Sequence, residues 1–163
     1  MSDEILDVDL LAFEQGSGDQ RRAVVDGVTR SLTTGFVYTS HDVSDDLLDT
    51  TYGMLKDFFD RDADEKQQFA APGANGQTGY TGLLVETAAV ADVPDWKEML
   101  NWGRDLPPGH PLRTRYPHRY GEQLFPDEVV AGIGDVLIDF HEAVFDLQRR
   151  FLRVIAVGLG CAE

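Results

Sequence analysis

Four histidines, His41, His110, His118 and His141, are the first residues to weigh for chemistry, because imidazole is the commonest metal ligand and a frequent general base. None has a carboxylate two residues later, and none falls in H-x-x-x-H or H-E-x-x-H, so no local metal site is encoded. His141 precedes Glu142 among apolar neighbours, which suits a surface or capping role, and His41 stands where it would shape a turn. Nucleophilic catalysis fares no better. There is no G-x-S-x-G elbow, and the one cysteine, Cys161, is terminal and lacks a supporting base. Acids are plentiful, but their abundance reads as solvated faces, not as a tuned pair. From residue chemistry alone the chain has no catalytic set and no metal ligands.

The segment Asp95-Trp96-Lys97-Glu98-Met99-Leu100-Asn101-Trp102-Gly103 offers a different kind of chemistry. From Trp96 onward it alternates with the period of two that a strand requires. Trp96, Glu98, Leu100 and Trp102 fall on one side, and Lys97, Met99 and Asn101 on the other. An amine, a thioether and an amide on one face suit small-molecule contact if that face looks into a cavity. From spacing alone the plainer reading of that face, and the favoured one, is a strand wetted on its polar side.

The flanking elements must position that segment. Ile5 to Leu11 alternates as a short strand and is broken by Gly16-Ser17-Gly18. Ser17 and Gln20 form a capping-box pair before Val24, Val25, Val28 and Leu32 at helical spacing, and Gly35 stops that helix. Phe36 to Thr39 reads as a second strand, so strand, helix and strand predict two neighbours in one sheet. Ser44 with Asp45 and Asp46 opens a helix that buries Leu47, Leu48, Thr51, Leu55, Phe58 and Phe59. Asp62 and Glu65 begin a short helix that Pro72 and Gly73 end.

Residues 72 to 82 are rich in glycine and small polar residues, but lack both nucleotide-loop patterns and read as a loop. Prolines from Pro107 to Pro117 predict an irregular cover. Its Arg113, Arg115 and Arg119 either meet a carboxylate substrate or pair with the protein's own acids. Pro126 to Gly158 reads as one long helix with an apolar stripe from Val129 to Ile155. At about 1.5 Å per residue it would extend nearly 50 Å.

Composition bounds the partners. The chain has 163 residues, 42% apolar and 26% charged, enough for a real core and too ordered in pattern for wholesale disorder. A formal charge of −15 opposes binding to nucleic acid or anionic membrane. A single cysteine excludes an internal disulfide, the acidic start lacks a signal-peptide pattern, and no apolar run reaches the roughly 20 residues of a membrane span, so a cytoplasmic protein is expected.

Taken in order, these pieces resemble the N-terminal region of the isopenicillin N synthase-like family of non-haem iron, 2-oxoglutarate-dependent oxygenases. The resemblance rests on Val8-Asp9-Leu10, Thr34-Gly35-Phe36-Val37-Tyr38, His41-x-Val43 before Leu47-Leu48, and Phe58-Phe59 with Glu65-Lys66. Gly79-Tyr80, Asp95-Trp96-Lys97-Glu98 and the ending Gly158-Leu159-Gly160 complete it, so it covers nearly the whole chain. Two departures stand out: the family usually has His-Gly-Val where this chain has His41-Asp42-Val43, and the preceding strand is about one residue shorter.

The resemblance implies an α+β fold, the helical and strand region that precedes a jelly roll, with the jelly-roll core largely absent from this chain. It divides the chain into 1–125, with its central strand at 95–103, and 126–160, a helix that would pack on the jelly roll. The family holds Fe(II) with His-x-Asp and a distant His, and 2-oxoglutarate with Arg-x-Ser, and neither motif occurs here. Fe(II) and 2-oxoglutarate are therefore implied for the family, with neither expected to bind this chain alone, and the isolated chain is expected to be inactive. Carried over residue by residue, the family's substrate-facing positions fall on Met99 and Asn101, then Lys97, with Tyr80 from the Gly-Tyr turn.

The function so implied is oxidation of a small molecule by hydroxylation, desaturation or cyclisation, as part of a complete enzyme. An alternative is a non-catalytic interaction protein that self-associates or docks a partner through the 126–158 helix. A nucleic-acid mimic is suggested only by the charge. An oxygenase piece predicts an open apolar patch on the long helix and on the Trp96, Leu100 and Trp102 face, whereas a self-sufficient binding protein predicts both buried.

Overall fold

The computed structural model describes residues 5–32, 34–73, 76–90, 92–117 and 119–161. They form two compact units, Met1–Ser44 with Ala143–Glu163, and Asp45–Glu142. The units do not part at residue 125. The long helix expected from Pro126 belongs to the second unit in its first turns and to the first unit beyond Glu142.

In the first unit, β1 (Leu6–Asp9) turns Val8 inward and exposes Asp7 and Asp9, as alternation requires. It is shorter than the expected Ile5 to Leu11. Asp9 ends it by accepting the N–H groups of Leu11 at 2.9 Å and Ala12 at 3.3 Å, which caps α1 (Leu10–Gln15). Leu10 and Phe13, three apart on that helix, are both fully buried. The capping box expected at Ser17 is present. The Ser17 N–H reaches Gln20 Oε1 at 2.8 Å, and α2 (Gly18–Ser31) follows, burying Val24 and Val28.

Gly35, at φ +77°, closes α2 by donating to the Ser31 carbonyl at 2.9 Å. β2 (Val37–Ser40) then pairs in parallel with β1, from Leu6↔Val37 to Asp9↔Ser40, so the predicted strand, helix and strand unit forms. α2 crosses close over β1 at Gly27, where a Cβ would lie 2.6 Å from Val8 Cγ1.

In the second unit, α3 (Asp45–Phe59) and α4 (Ala63–Gln67) follow the expected order. β3 (Gly79–Thr81) pairs antiparallel with β4 (Met99–Asn101), a far shorter strand than the one expected over 95–103. Within the expected irregular cover lies a helical turn, α5 (Pro111–Arg115). Pro111 starts it, and His110 Nδ1 caps it by accepting the Leu112 N–H at 3.1 Å. The last helix, α6 (Ile133–Gly158), begins seven residues later than Pro126. Gly132 at φ +79° breaks the helical path, and Asp127 Oδ1 accepts the Gly134 N–H at 3.1 Å as a remote cap. Phe58 centres this unit's core with Phe69, Tyr80, Leu100, Val130, Ile133 and Leu137.

The apolar stripe of α6 is thus divided. Ile133 and Leu137 are fully buried in the second unit and Val154 in the first, while Val144, Phe145 and Leu152 remain 41%, 36% and 55% exposed. The molecule is α+β, with two short two-stranded sheets among the described residues. No helix among them is long and apolar enough to cross a membrane.

Candidate functional site

The β3–β4 ladder builds the site. Its register pairs Tyr80 with Leu100, Gly79 with Asn101 and Thr81 with Met99. Directly opposed residues share a face, so Tyr80 joins Leu100 on the core side, and Thr81, Met99 and Asn101 share the other. Of the four residues proposed from the resemblance, the ladder therefore brings Met99 and Asn101 together and turns Tyr80 away from them.

Glu98, which interrupts the apolar side of the segment, has a definite partner set. It accepts the Tyr80 hydroxyl at 2.6 Å and the Lys66 ammonium at 3.0 Å on Oε1 and 2.8 Å on Oε2. Lys66, buried at the end of α4, also donates to the Phe59 carbonyl at 2.8 Å. Burial raises the Glu98 carboxyl, but the hydrogen bonds from Lys66 and Tyr80, with the lysine's charge, outweigh it and hold the group below the usual carboxylate range. Burial, then the hydrogen bond to Glu98 and its charge, pushes the Tyr80 phenol up to about 12. On the same side Trp102 donates its indole N–H to the Leu137 carbonyl at 3.0 Å.

Trp96 departs from the expected alternation and is 78% exposed. The cause is local: Asp95 pairs by its backbone with an earlier segment, its N–H reaching the Glu86 carbonyl at 2.7 Å and its carbonyl accepting the Leu84 N–H at 3.1 Å. The chain is therefore not yet in the ladder at Trp96.

On the outer side, Asn101 donates its amide N–H to the Gly76 carbonyl at 2.8 Å. Lys97 sits between Glu86 Oε2 at 3.0 Å and Asp95 Oδ2 at 3.1 Å. Hydrogen bonds to Glu86 and then Asp95 raise its pKa above the ordinary lysine value. This ammonium is already neutralised twice over.

Beside β3 opens a cleft of about 460 Å³, walled among others by Gln67, Gly76, Tyr80, Thr81, Gly82 and Glu86. Among the described residues no lysine or arginine lines it, so a phosphate cradle in the glycine-rich segment has no cationic support from them. Thr78 also borders it, with its Oγ1 buried and without a hydrogen-bond partner among the described residues. No spacing pattern singles out Gln67, Thr81 or Glu86. The only sequence sign of the cleft is the run of glycines that keeps it open.

The remaining candidates disperse. His110 is a helix cap, His41 is exposed ahead of α3, His141 lies on α6, and His118 falls outside the described residues. Among the described residues no three of His, Cys, Asp and Glu gather as a metal site would need. Arg113 of the basic segment faces Asp105 at 3.5 Å, so it pairs with the protein's own acid.

Asp42, where the family usually carries glycine, takes Arg150 Nη1 at 2.6 Å, and Glu14 takes Arg150 Nε at 2.9 Å and Nη2 at 2.7 Å. The hydrogen bond from Arg150 holds both carboxyls below their usual values.

The family described as "non-haem dioxygenase in morphine synthesis N-terminal" matches residues 5–128. Among curated proteins, the 2-oxoglutarate-dependent dioxygenase caaD of Aspergillus niger is 29% identical over 160 residues, 96% of this chain and 48% of that protein. Among solved structures, a 2OG-Fe(II) oxygenase family protein from Caulobacter crescentus superposes with a TM-score of 0.79 at 26% identity, over 98% of this chain and 50% of that one. A full-length Neurospora crassa protein, solved in complex with α-KG and thymine, shares the fold at a TM-score of 0.76 and 21% identity, over 97% of this chain and 49% of its own. The chain spans about half the length of the relatives it matches.

Proposed function

Because the chain belongs to the family of N-terminal regions of non-haem dioxygenases, matched across residues 5–128, we propose that it is the N-terminal part of a 2-oxoglutarate-dependent oxygenase acting on a small molecule. The observation that carries this is coverage: nearly all of this chain aligns with about half of an oxygenase. The outcome of the oxidation is hydroxylation, desaturation or ring formation. Fe(II) with 2-oxoglutarate supplies the oxidising chemistry in such enzymes, and the described residues do not fit an iron site. The part of these residues is to bind and orient.

In this reading Met99 and Asn101 face the substrate from β4, with Lys97 at the near end of the segment. Asn101 is held by the Gly76 carbonyl, which fixes the amide and leaves its oxygen to accept from a ligand. Tyr80 supports the same ladder from behind through Glu98. Its contribution is orientation of the strand and, at its edge, of the cleft.

The test is calorimetric titration with Fe(II) under anaerobic conditions, with and without 2-oxoglutarate. Two samples are compared: this chain, and a completed chain in which it is joined to the segment that follows the matched region in the Aspergillus niger relative. We expect no binding to this chain and one-to-one binding, strengthened by 2-oxoglutarate, to the completed one. Tight one-to-one binding to the 163-residue chain alone would sink the reading.

A further inference from the structure

We propose that the cleft beside β3 binds a small organic cation with paired N–H donors, an amidine or guanidinium group, and disfavours carboxylates and phosphates. Resting on the oxygenase reading, this names the class of group held at the edge of the ladder, where the Tyr80 hydroxyl borders the cleft, beside the Met99 and Asn101 face that does not line it.

Two glycines define where donors can sit. At Gly76 a Cβ would lie 3.0 Å from Glu86 Oε1 and 3.6 Å from Thr81 Oγ1. At Gly82 it would lie 3.6 Å from the Tyr80 hydroxyl oxygen and 3.8 Å from Gln67 Oε1. At Gly82 the missing side chain leaves room at ordinary contact distance from two oxygens, and at Gly76 the Glu86 oxygen stands within hydrogen-bonding reach of a position too tight for a carbon. The oxygens present lone pairs. Tyr80 gives its proton to Glu98, so the phenol can only accept toward the cleft. Lys97 engages Glu86 through Oε2, which leaves Oε1 for a ligand.

Charge points the same way. Lys97 is shared between two carboxylates, so the group of Glu86, Asp95 and Lys97 carries a net negative charge. Among the described residues no basic side chain lines the cleft, and the whole chain stands at −15. A planar N–H fork can address two acceptors at once, and the charge makes those bonds stronger than neutral ones. The volume, about 460 Å³, is within the ordinary range for small-molecule sites.

The experiment is an NMR titration of the 163-residue chain with benzamidine and, separately, with benzoate. We expect benzamidine to give saturable shifts at the amides of Gly76, Thr81, Gly82 and Glu86, and benzoate to give none there. Glu86→Gln, which removes the charge, and Gly82→Ala, which fills one space at a position free of positive φ, should each weaken benzamidine by about tenfold, the loss of one charge-assisted bond. Circular dichroism checks that both variants fold. Equal or better binding of benzoate, absence of saturable benzamidine binding, or affinity unmoved by both substitutions overturns the inference. Failure of the oxygenase reading shows separately, as absent iron binding in the completed chain, and leaves these shifts unchanged.

Discussion

At Glu98 a carboxylate interrupts the core side of the ladder, and its place there depends on two partners far away in sequence: Lys66 is 32 positions back and Tyr80 is 18. Alternation in the segment makes Leu100 and Trp102 legible as the buried side, because period two is a local property. The same pattern marks Glu98 only as an interruption, since no local rule points to Lys66. Replacing Glu98 with Ala leaves a buried ammonium without its carboxylate, held by the Phe59 carbonyl and the face of the Tyr80 ring, and should cost about 3 kcal/mol in a urea unfolding experiment. Tyr80 gives a pH signature. Its folded pKa is raised from 10.0 to about 12, so its contribution is complete below about 10 and is lost as pH rises toward about 12. The stability gap between the parent chain and Tyr80→Phe should therefore narrow across that window. A gap that is constant with pH would remove the Tyr80–Glu98 bond from the account.

Elements announce themselves where their ends are encoded nearby. The boxes at Ser17 and Asp62 span only four residues each, so α2 and α4 start where the sequence places them. The start of α6 has no such local signal: Pro126 suits a first helical position, while the actual cap joins Asp127 to Gly134, seven positions apart across irregular chain and into the helix. Two glycines, one at this boundary and one inside a helix, should respond in opposite directions. Gly132 has φ +79°, where an L side chain is strained, so Gly132→Ala should destabilise by about 1 to 2 kcal/mol. Gly53 lies inside α3 with open space around its missing Cβ, so Gly53→Ala should stabilise by about 0.5 to 1 kcal/mol. Thermal midpoints of the two variants decide it. If Gly132→Ala is neutral, helix α6 extends toward Pro126 and does not begin at Ile133.

Across the whole molecule, the family order is readable because it is a succession of local patterns, whereas the cleft is not, because its walls come from α4, the glycine loop and the segment after β3. Charge operates at this scale too. With 29 acids against 14 bases, the chain carries a net charge of −15, and the mutual repulsion of the excess acids opposes compaction. Salt should then raise stability. Between about 0.01 M and about 0.15 M ionic strength the Debye length falls from about 30 to about 8 Å, enough to screen repulsion between acids spread over the surface. The Arg150 pairs with Glu14 and Asp42 run against this trend. Their donor and acceptor atoms are 2.6 to 3.2 Å apart, and Arg150 and Glu14 are only 16% and 21% exposed, so screening weakens the Glu14 pair little. The expected result is a thermal midpoint that rises with sodium chloride in the parent chain and rises by a similar increment, from a lower base, in Arg150→Met. A midpoint that falls with salt would mean that attractive ion pairs outweigh the excess of acids.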